Sequence, residues 1–331
     1  MRIIVTGSLG NISKPLTHLL VEKGHNVTVI SSDLKKQAAI ESLKATAAIG
    51  SIGDAAFLAK IFESADAVYA MLPMPFTDTD PQTYLAKMAA NYTHALKQAA
   101  VPRVVALSGW AADLIPGENA EDVFTEELKN TSLTILRPAS FYTNFYQSIP
   151  LIRGKGLLGK FLTLRYSGLR ALLTGKTGLL MGNLGGNDRT VFVSPRDIAD
   201  AIAEELVVRP DHTTIRYIGS EEMTCNEAAK IIGTAVGKPW LKWVLLSEKQ
   251  MLQGLKMAKL PEKLAELLVA MQAVMHNGKP LENFHRNNPK LGKIKLAEFA
   301  KAPCFHARGV TRNALWNFLA IPLEPLEDFG G

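Results

Sequence analysis

Hydrophobic and polar positions divide the chain into two regimes. Over the first 140 residues, short apolar runs rich in β-branched side chains alternate with segments whose apolar residues recur at helical spacing. Residues 2–6, 26–30, 45–50, 67–72, 103–107 and 132–137 read as strands, and 12–23, 34–43, 55–62 and 81–100 as helices. In the first helix Ile12, Leu16, Leu19 and Leu20 share a face, and Gly24 follows as a C-terminal cap. Strand–helix alternation at this spacing requires right-handed crossovers, hence a parallel sheet with helices on both faces.

Beyond Pro138 the rhythm changes. A Gly/Leu-rich stretch carries Arg153, Lys155, Lys160, Arg165, Arg170 and Lys176, with no acidic residue before Asp188. It reads either as an amphipathic lid or face for an acidic partner or membrane surface, or as an inserted helix pair with solvated lysines. Later, 191–193 and 215–218 read as strands. The expected helices are 195–208, which carries Asp197 near its start, 225–236, and 247–274, the last broken or kinked near Pro261. Short helices are expected around 294–300 and 312–319, with no repeat or low-complexity tract. The expected fold is α/β, a doubly wound parallel Rossmann-type sheet over 1–150 joined by strands from about 187–220. The basic insertion or lid spans 151–186, and a smaller, mostly helical substrate domain spans 221–331.

A chain of 331 residues fits about two domains at ~150 residues each. A charged fraction of 21% with both signs mixed excludes a disordered chain. No apolar run approaches the roughly 18 residues of a membrane span. The first strand begins at Arg2, which leaves no room for a signal peptide. Cys225 and Cys304 read as reduced core thiols, which places the protein in the cytoplasm. A net charge of +6 favours an anionic ligand but lacks a nucleic-acid motif, so no nucleic acid is expected.

Chemistry concentrates in Thr6-Gly7-Ser8-Leu9-Gly10-Asn11-Ile12-Ser13, between the first strand and first helix. That context is the one a dinucleotide fingerprint requires. Gly7 permits a tight turn, and Gly10 admits close approach of a pyrophosphate. The amides from Leu9 to Ile12 open a helix whose dipole favours an anion. Ser13 stands in for the third glycine, and Pro15 fits the first turn. At the end of the second strand, Ser31 and Ser32 followed by Lys35 and Lys36 suit a 2′-phosphate. Asp33 either turns to a ribose hydroxyl or caps the next helix. NADP is therefore preferred, with NAD possible.

With these residues in view, the sequence resembles the NmrA-like branch of the atypical short-chain dehydrogenases. The resemblance rests on TGSLGNI, on Gly50-Ser51-Ile52-Gly53-Asp54, on VPRVVALSGW (101–110) and on LTILRPASFYTNF (133–145). Tyr217-Ile218-Gly219 to Gly237-Lys238-Pro239 adds to it. It implies that Gly7, Ser8, Leu9, Gly10, Asn11 and Ile12 hold the pyrophosphate, that Ser31, Ser32 and Lys36 flank the 2′ position, and that Ser51 and Ile52 touch adenine. It places Met71, Leu72 and Pro73 along the ribose and nicotinamide side. Ser108 would lie beside the nicotinamide, with Pro138, Ala139 and Ser140 as its floor. Phe141, Tyr142 and Asn144 would border a small-molecule substrate.

The chain departs from reductases of this kind in lacking a Tyr-x-x-x-Lys pair. Tyr84 has Lys87 at +3 and Tyr92 has Lys97 at +5, both on the helix before the Ser108 strand. The segment 118–129 is acidic, and its only lysine, Lys129, lies at the end. Tyr142 is the best remaining proton donor, though a phenol needs a nearby cation or desolvation for that work. Ser108 either positions a substrate oxygen or closes a strand. Trp110 and Tyr142 either cover a substrate or pack internally, and Asn144 either holds a carbonyl or bonds loop backbone. His276, His285 and His306 lack ligand spacing, so no metal is expected. The leading function is an NAD(P)H-dependent oxidoreductase acting on a quinone, enone or imine type acceptor. The alternative is a non-catalytic NAD(P) sensor, and an epimerase ranks below both. A homodimer is left open.

Overall fold

The computed structural model describes residues 1–302 except 77, 79 and 116–118. The expected helix at 312–319, Cys304 and His306 lie outside the described residues. The chain divides into two compact units, one of Met1–Ala139 with Pro195–Ile218, the other of Ser140–Ser194 with the remainder from Gly219.

The first unit opens with β1 (Arg2–Val5), α1 (Ser13–Glu22), β2 (Asn26–Ser31), α2 (Gln37–Ser42) and β3 (Thr46–Ile49). It continues with α3 (Ala55–Phe62), β4 (Ala67–Ala70), α4 (Pro81–Gln98), β5 (Arg103–Leu107), α5 (Ala120–Glu127) and β6 (Ser132–Pro138). The chain then builds β7 (Ser140–Phe141), α6 (Asn144–Gln147), α7 (Ile149–Arg153), α8 (Gly156–Leu173), β8 (Leu180–Gly182) and β9 (Arg189–Val193) of the second unit. It returns to the first unit with α9 (Pro195–Glu205) and β10 (Thr214–Ile218). Seven parallel strands result, in the order β3-β2-β1-β4-β5-β6-β10. Strand order reverses between β1 and β4, the topological switch point where an open α/β sheet binds ligands outside its carboxyl ends.

Local chemistry explains the element ends. Asp54 and Asp80 cap α3 and α4 through the amides of Phe57 and Thr83, and Pro81 opens α4 where its missing N–H is harmless. Asp33 caps the turn before α2, its carboxylate accepting from the Lys35 amide at 3.0 Å, which is the capping alternative for this residue. On one sheet face Leu58, Phe62, Tyr92, Leu96, Val104 and Phe124 form a core, with the Phe62 and Tyr92 rings stacked.

The second unit adds β11 (Glu221–Thr224), α10 (Cys225–Ala235), β12 (Trp243–Leu245), α11 (Glu248–Met257), α12 (Glu262–His276), α13 (Lys279–Asn287) and α14 (Leu296–Phe299). Its strands form two small sheets, β11-β9-β7 and β12-β8. The region 187–220 is therefore shared: 214–218 lies in the seven-stranded sheet, whereas 189–193 pairs with β7 and β11. The expected long helix 247–274 is two helices separated at Ala258–Pro261, because proline lacks the amide a continuous helix needs. Capping boxes at Thr224/Glu227 and Ser247/Gln250 start α10 and α11. Burial pushes the Cys225 thiol up to about 12, consistent with an inert core cysteine. Among the described residues, no helix is long and apolar enough to cross a membrane.

Candidate functional site

The turn after β1 is built around two unusual backbone positions. Gly7 has φ +85°, and an added Cβ would sit 2.5 Å from Met71 Cε and 2.8 Å from Ser13 Oγ. Ser8 also adopts a positive φ of 54°. Ser8 N bonds Ile30 O (3.0 Å), and Gly10 N bonds Gly7 O (3.1 Å), which folds the turn back on itself. Ser13 Oγ donates to Thr6 O at 2.7 Å and ties the start of α1 to the end of β1. The amides of Leu9, Asn11 and Ile12 have no acceptor among the described residues. With no acidic residue in the first turn of α1, this mouth is complementary to an anion.

The β4 side of the switch point is stitched to the same turn. Thr6 Oγ1 donates to Tyr69 O (3.1 Å) and accepts from Met71 N (2.8 Å), while Tyr92 on α4 donates its hydroxyl to Met71 O (3.2 Å). Met71 and Leu72 are half-buried and Pro73 is exposed. Burial raises the Tyr92 phenol above its ordinary value against the opposing pull of Thr6, so it stays protonated and supports the loop. In the sequence Tyr92 shows only the lack of a lysine four residues on, and nothing there signals this role.

Residues expected near the adenosine half separate into engaged and exposed groups. Ser31 is buried, and its hydroxyl accepts from Ser8 Oγ (2.9 Å) and from Asp33 N (3.2 Å). It therefore helps hold the turn together. Ser32 is exposed and Lys36 half-buried. Ser51 is exposed and accepts from Gly53 N at 3.1 Å, and Asn91 supports that turn by donating to Gly53 O at 3.1 Å.

At the end of β5, Ser108 Oγ donates to Glu121 Oε2 at 2.6 Å. The same carboxylate pairs with the buried Arg137, whose guanidinium also bonds the Tyr217 hydroxyl (2.8 Å) and meets Asp113 (2.9 Å). Burial opposes the Arg137 charge, but Glu121 and Tyr217 more than offset it and raise its pKa. Ser108 is thus a hydroxyl whose proton is committed to a buried ion pair. The arginine of the LRP segment and the acids of 118–129 are the signal for this cluster in the sequence, but no local spacing pairs them. Trp110 is buried, in keeping with its packing alternative. Pro138 and Ala139 are buried, and Ala139 N bonds Ile218 O at 2.9 Å.

Ser140, Phe141, Tyr142 and Asn144 belong to the second unit. Ser140 Oγ contacts Met275 Sδ at 3.6 Å, Phe141 is half-buried, and Asn144 is exposed at the start of α6. Tyr142 has no exposed surface. Its hydroxyl has Glu221 Oε2 (3.0 Å) and Ile294 O (3.2 Å) as acceptors within reach of its one proton, and its ring packs on Phe192 and Phe299. This is the internal-packing alternative for Tyr142: the phenol is a core pillar, held beside a carboxylate.

A family model described as NAD(P)H-binding matches residues 7–207. The chain belongs to this family. The turn, the switch point and the NmrA-like resemblance agree with that membership, and the residues present fit a dinucleotide: a turn packed too tightly at Gly7 to admit a side chain, and amides at the mouth of α1 with no acceptor among the described residues. No curated protein matches the chain. Among solved structures, a triphenylmethane reductase from Citrobacter sp. aligns over 91% of this chain and 99% of its own, with 19% identity and a TM-score of 0.66. An NADPH-dependent quinone oxidoreductase from Escherichia coli, solved with NADPH, aligns over 90% and 98%, with 19% identity and a TM-score of 0.67. A nucleoside-diphosphate-sugar epimerase from Staphylococcus aureus covers 91% and 100%, with 15% identity and a TM-score of 0.67. At these identities the likeness is one of fold: the Rossmann-type sheet of the NAD(P)H-binding family with a mostly helical second part.

Proposed function

We propose that the chain is an NAD(P)H-dependent oxidoreductase that reduces a small organic acceptor of the quinone, enone or imine type, with NADP(H) preferred. The observation that carries this reading is the trio of amides at Leu9, Asn11 and Ile12, which lack acceptors at the mouth of α1. These amides hold the diphosphate, and Gly7 lets the turn that carries them pack tightly. Ser32 and Lys36 flank the 2′ position, while Ser51 and Ile52 lie at the adenine. Met71, Leu72 and Pro73 line the ribose, and Ser108, Pro138 and Ala139 lie beside the nicotinamide. Phe141 and Asn144 border the substrate. Bound nicotinamide supplies a hydride from C4.

The acceptor class follows from the two hydroxyls considered for proton delivery. Tyr142 is buried against Glu221, and Ser108 donates to Glu121. An acceptor that takes hydride and then a proton from water needs neither. Two neighbours of the same fold are named as a quinone oxidoreductase and a dye reductase, which accords with this class. Purified protein is expected to oxidise NADPH with at least one member of a quinone, enone and imine panel. No turnover across the panel contradicts the proposal.

The engaged hydroxyls of Tyr142 and Ser108 also favour a second reading, a non-catalytic NAD(P) sensor. Its signature is tight NADPH binding with no turnover and a change in partner contacts. A cytoplasmic location and a homodimer complete the proposed picture.

Preference for NADP(H) has its own test. Ser32 is exposed, and with the 2′-phosphate beside it an added carboxylate repels that group. Ser32→Asp is expected to weaken NADPH binding about ten-fold relative to NADH, the scale of one unfavourable charge contact near a surface. Titration of both nucleotides into both proteins checks it, and an unchanged ratio moves the 2′ site elsewhere.

A further inference from the structure

We infer that α8 is an interfacial helix that seats the second unit on an anionic lipid surface. On a helical wheel, Leu157, Phe161 and Leu164 share one face, and they are 88%, 59% and 45% exposed. Lys160 and Arg165 flank this ridge on either side, both exposed. The opposite face is the packed one. Gly159 and Thr163 are buried, and a Cβ at Gly159 would lie 2.3 Å from the Gly154 backbone. The apolar ridge therefore points outward while the helix is anchored from behind.

The pattern continues past the kink at Gly168, where φ is 83°. Leu169 and Leu173 are exposed, with Arg170 and Lys176 beside them in sequence. Trp240 is also partly exposed and donates its indole N–H to Thr177 O at 3.1 Å, just beyond the end of α8. Indole is a side chain that settles at lipid headgroup level. No Asp or Glu occurs from Arg153 to Asn187.

Charge and apolarity together select the occupant. Exposed leucines and phenylalanine flanked by cations, with no acid along the segment, complement a bilayer bearing negative headgroups. An acidic protein face satisfies the lysines and arginines but leaves the Leu157/Phe161/Leu164 ridge without an apolar partner. A second copy docked through the same face sets the two rows of cations against each other. The helix is not apolar enough to span, so it lies in the plane of the interface. This inference is independent of the chemistry proposed above.

The test is co-sedimentation of the full-length protein with vesicles of pure phosphatidylcholine and of equimolar phosphatidylcholine and phosphatidylglycerol, at low and high salt. The protein is expected to pellet with the anionic vesicles only, and less at high salt. Phe161→Asp/Leu164→Asp and Lys160→Glu/Arg165→Glu are each expected to weaken partitioning about ten-fold or more, with thermal unfolding and NADPH affinity unchanged. Failure to bind anionic vesicles, equal binding to neutral ones, or binding retained in both double variants overturns the inference. So does a dimer in analytical ultracentrifugation that these variants dissociate while the wild type ignores vesicles.

Discussion

Glu121→Ala is expected to destabilise the first unit by about 3 kcal/mol or more, which lies in the range for removing one partner of a buried ion pair. Glu121 and Arg137 are both almost fully buried, with side chains 7% and 6% exposed. Deleting the carboxylate leaves the guanidinium with Tyr217 and the half-exposed Asp113, too little to replace the two hydrogen bonds it donates to a buried anion. Ser108 loses its acceptor in the same step. Glu205→Ala provides the comparison. Arg103 is fully buried and its charge is disfavoured by burial against the pull of Glu205. Yet Arg103 also donates to the backbone carbonyls of Glu205 and Ser132, which survive the substitution. Thermal or urea unfolding is expected to rank Glu121→Ala as the more damaging. The reverse order contradicts this account of the cluster.

Gly7→Ala is expected to cost at least about 100-fold in NADPH affinity. The backbone there has φ +85°, where an L side chain is strained, and the new Cβ overlaps Met71 Cε and Ser13 Oγ. Met71 can swing away. Ser13 is fixed by its bond to Thr6, so the turn must move and carry the amides of Leu9, Asn11 and Ile12 with it. Charge-assisted bonds to phosphate contribute roughly 1.5–3 kcal/mol each, so misplacing two suffices for a loss of this size. Gly24→Ala separates binding from backbone strain. Gly24 has φ +78° but nothing lies within 4 Å of its Cβ position, so it is expected to lose stability and keep NADPH. Calorimetric titration of the three proteins checks both halves. Equal losses of affinity at Gly7 and Gly24 contradict the role assigned to the turn.

The first unit was legible because each of its signals is local. Apolar runs set the strands, and Asp54, Asp80 and Pro81 mark helix starts by chemistry confined to a few neighbours. The 3₁₀ turn and short helix at 34–42 likewise followed from an Asp33 cap. What escaped depends on partners far apart in sequence. Tyr142 in FYTNF reads equally as an available phenol or a packed one, and only contacts with Glu221, Ile294 and Phe299 decide for a pillar. Ser31 reads as a free hydroxyl until Ser8 meets it across the switch-point turn. Arg137 and Glu121 lie 16 residues apart, on a strand and a helix, and no periodicity links them. In the second unit, β7 and β8 are too short to show alternation, and the exposed ridge of α8 could not be told from a packed one by spacing.

The central claim is that the amides at the mouth of α1 grip a diphosphate. A crystal structure with NADPH bound tests it most directly. The account predicts the diphosphate oxygens within hydrogen-bond distance of the Leu9, Asn11 and Ile12 amides. A dinucleotide whose diphosphate rests on any other part of the chain contradicts it.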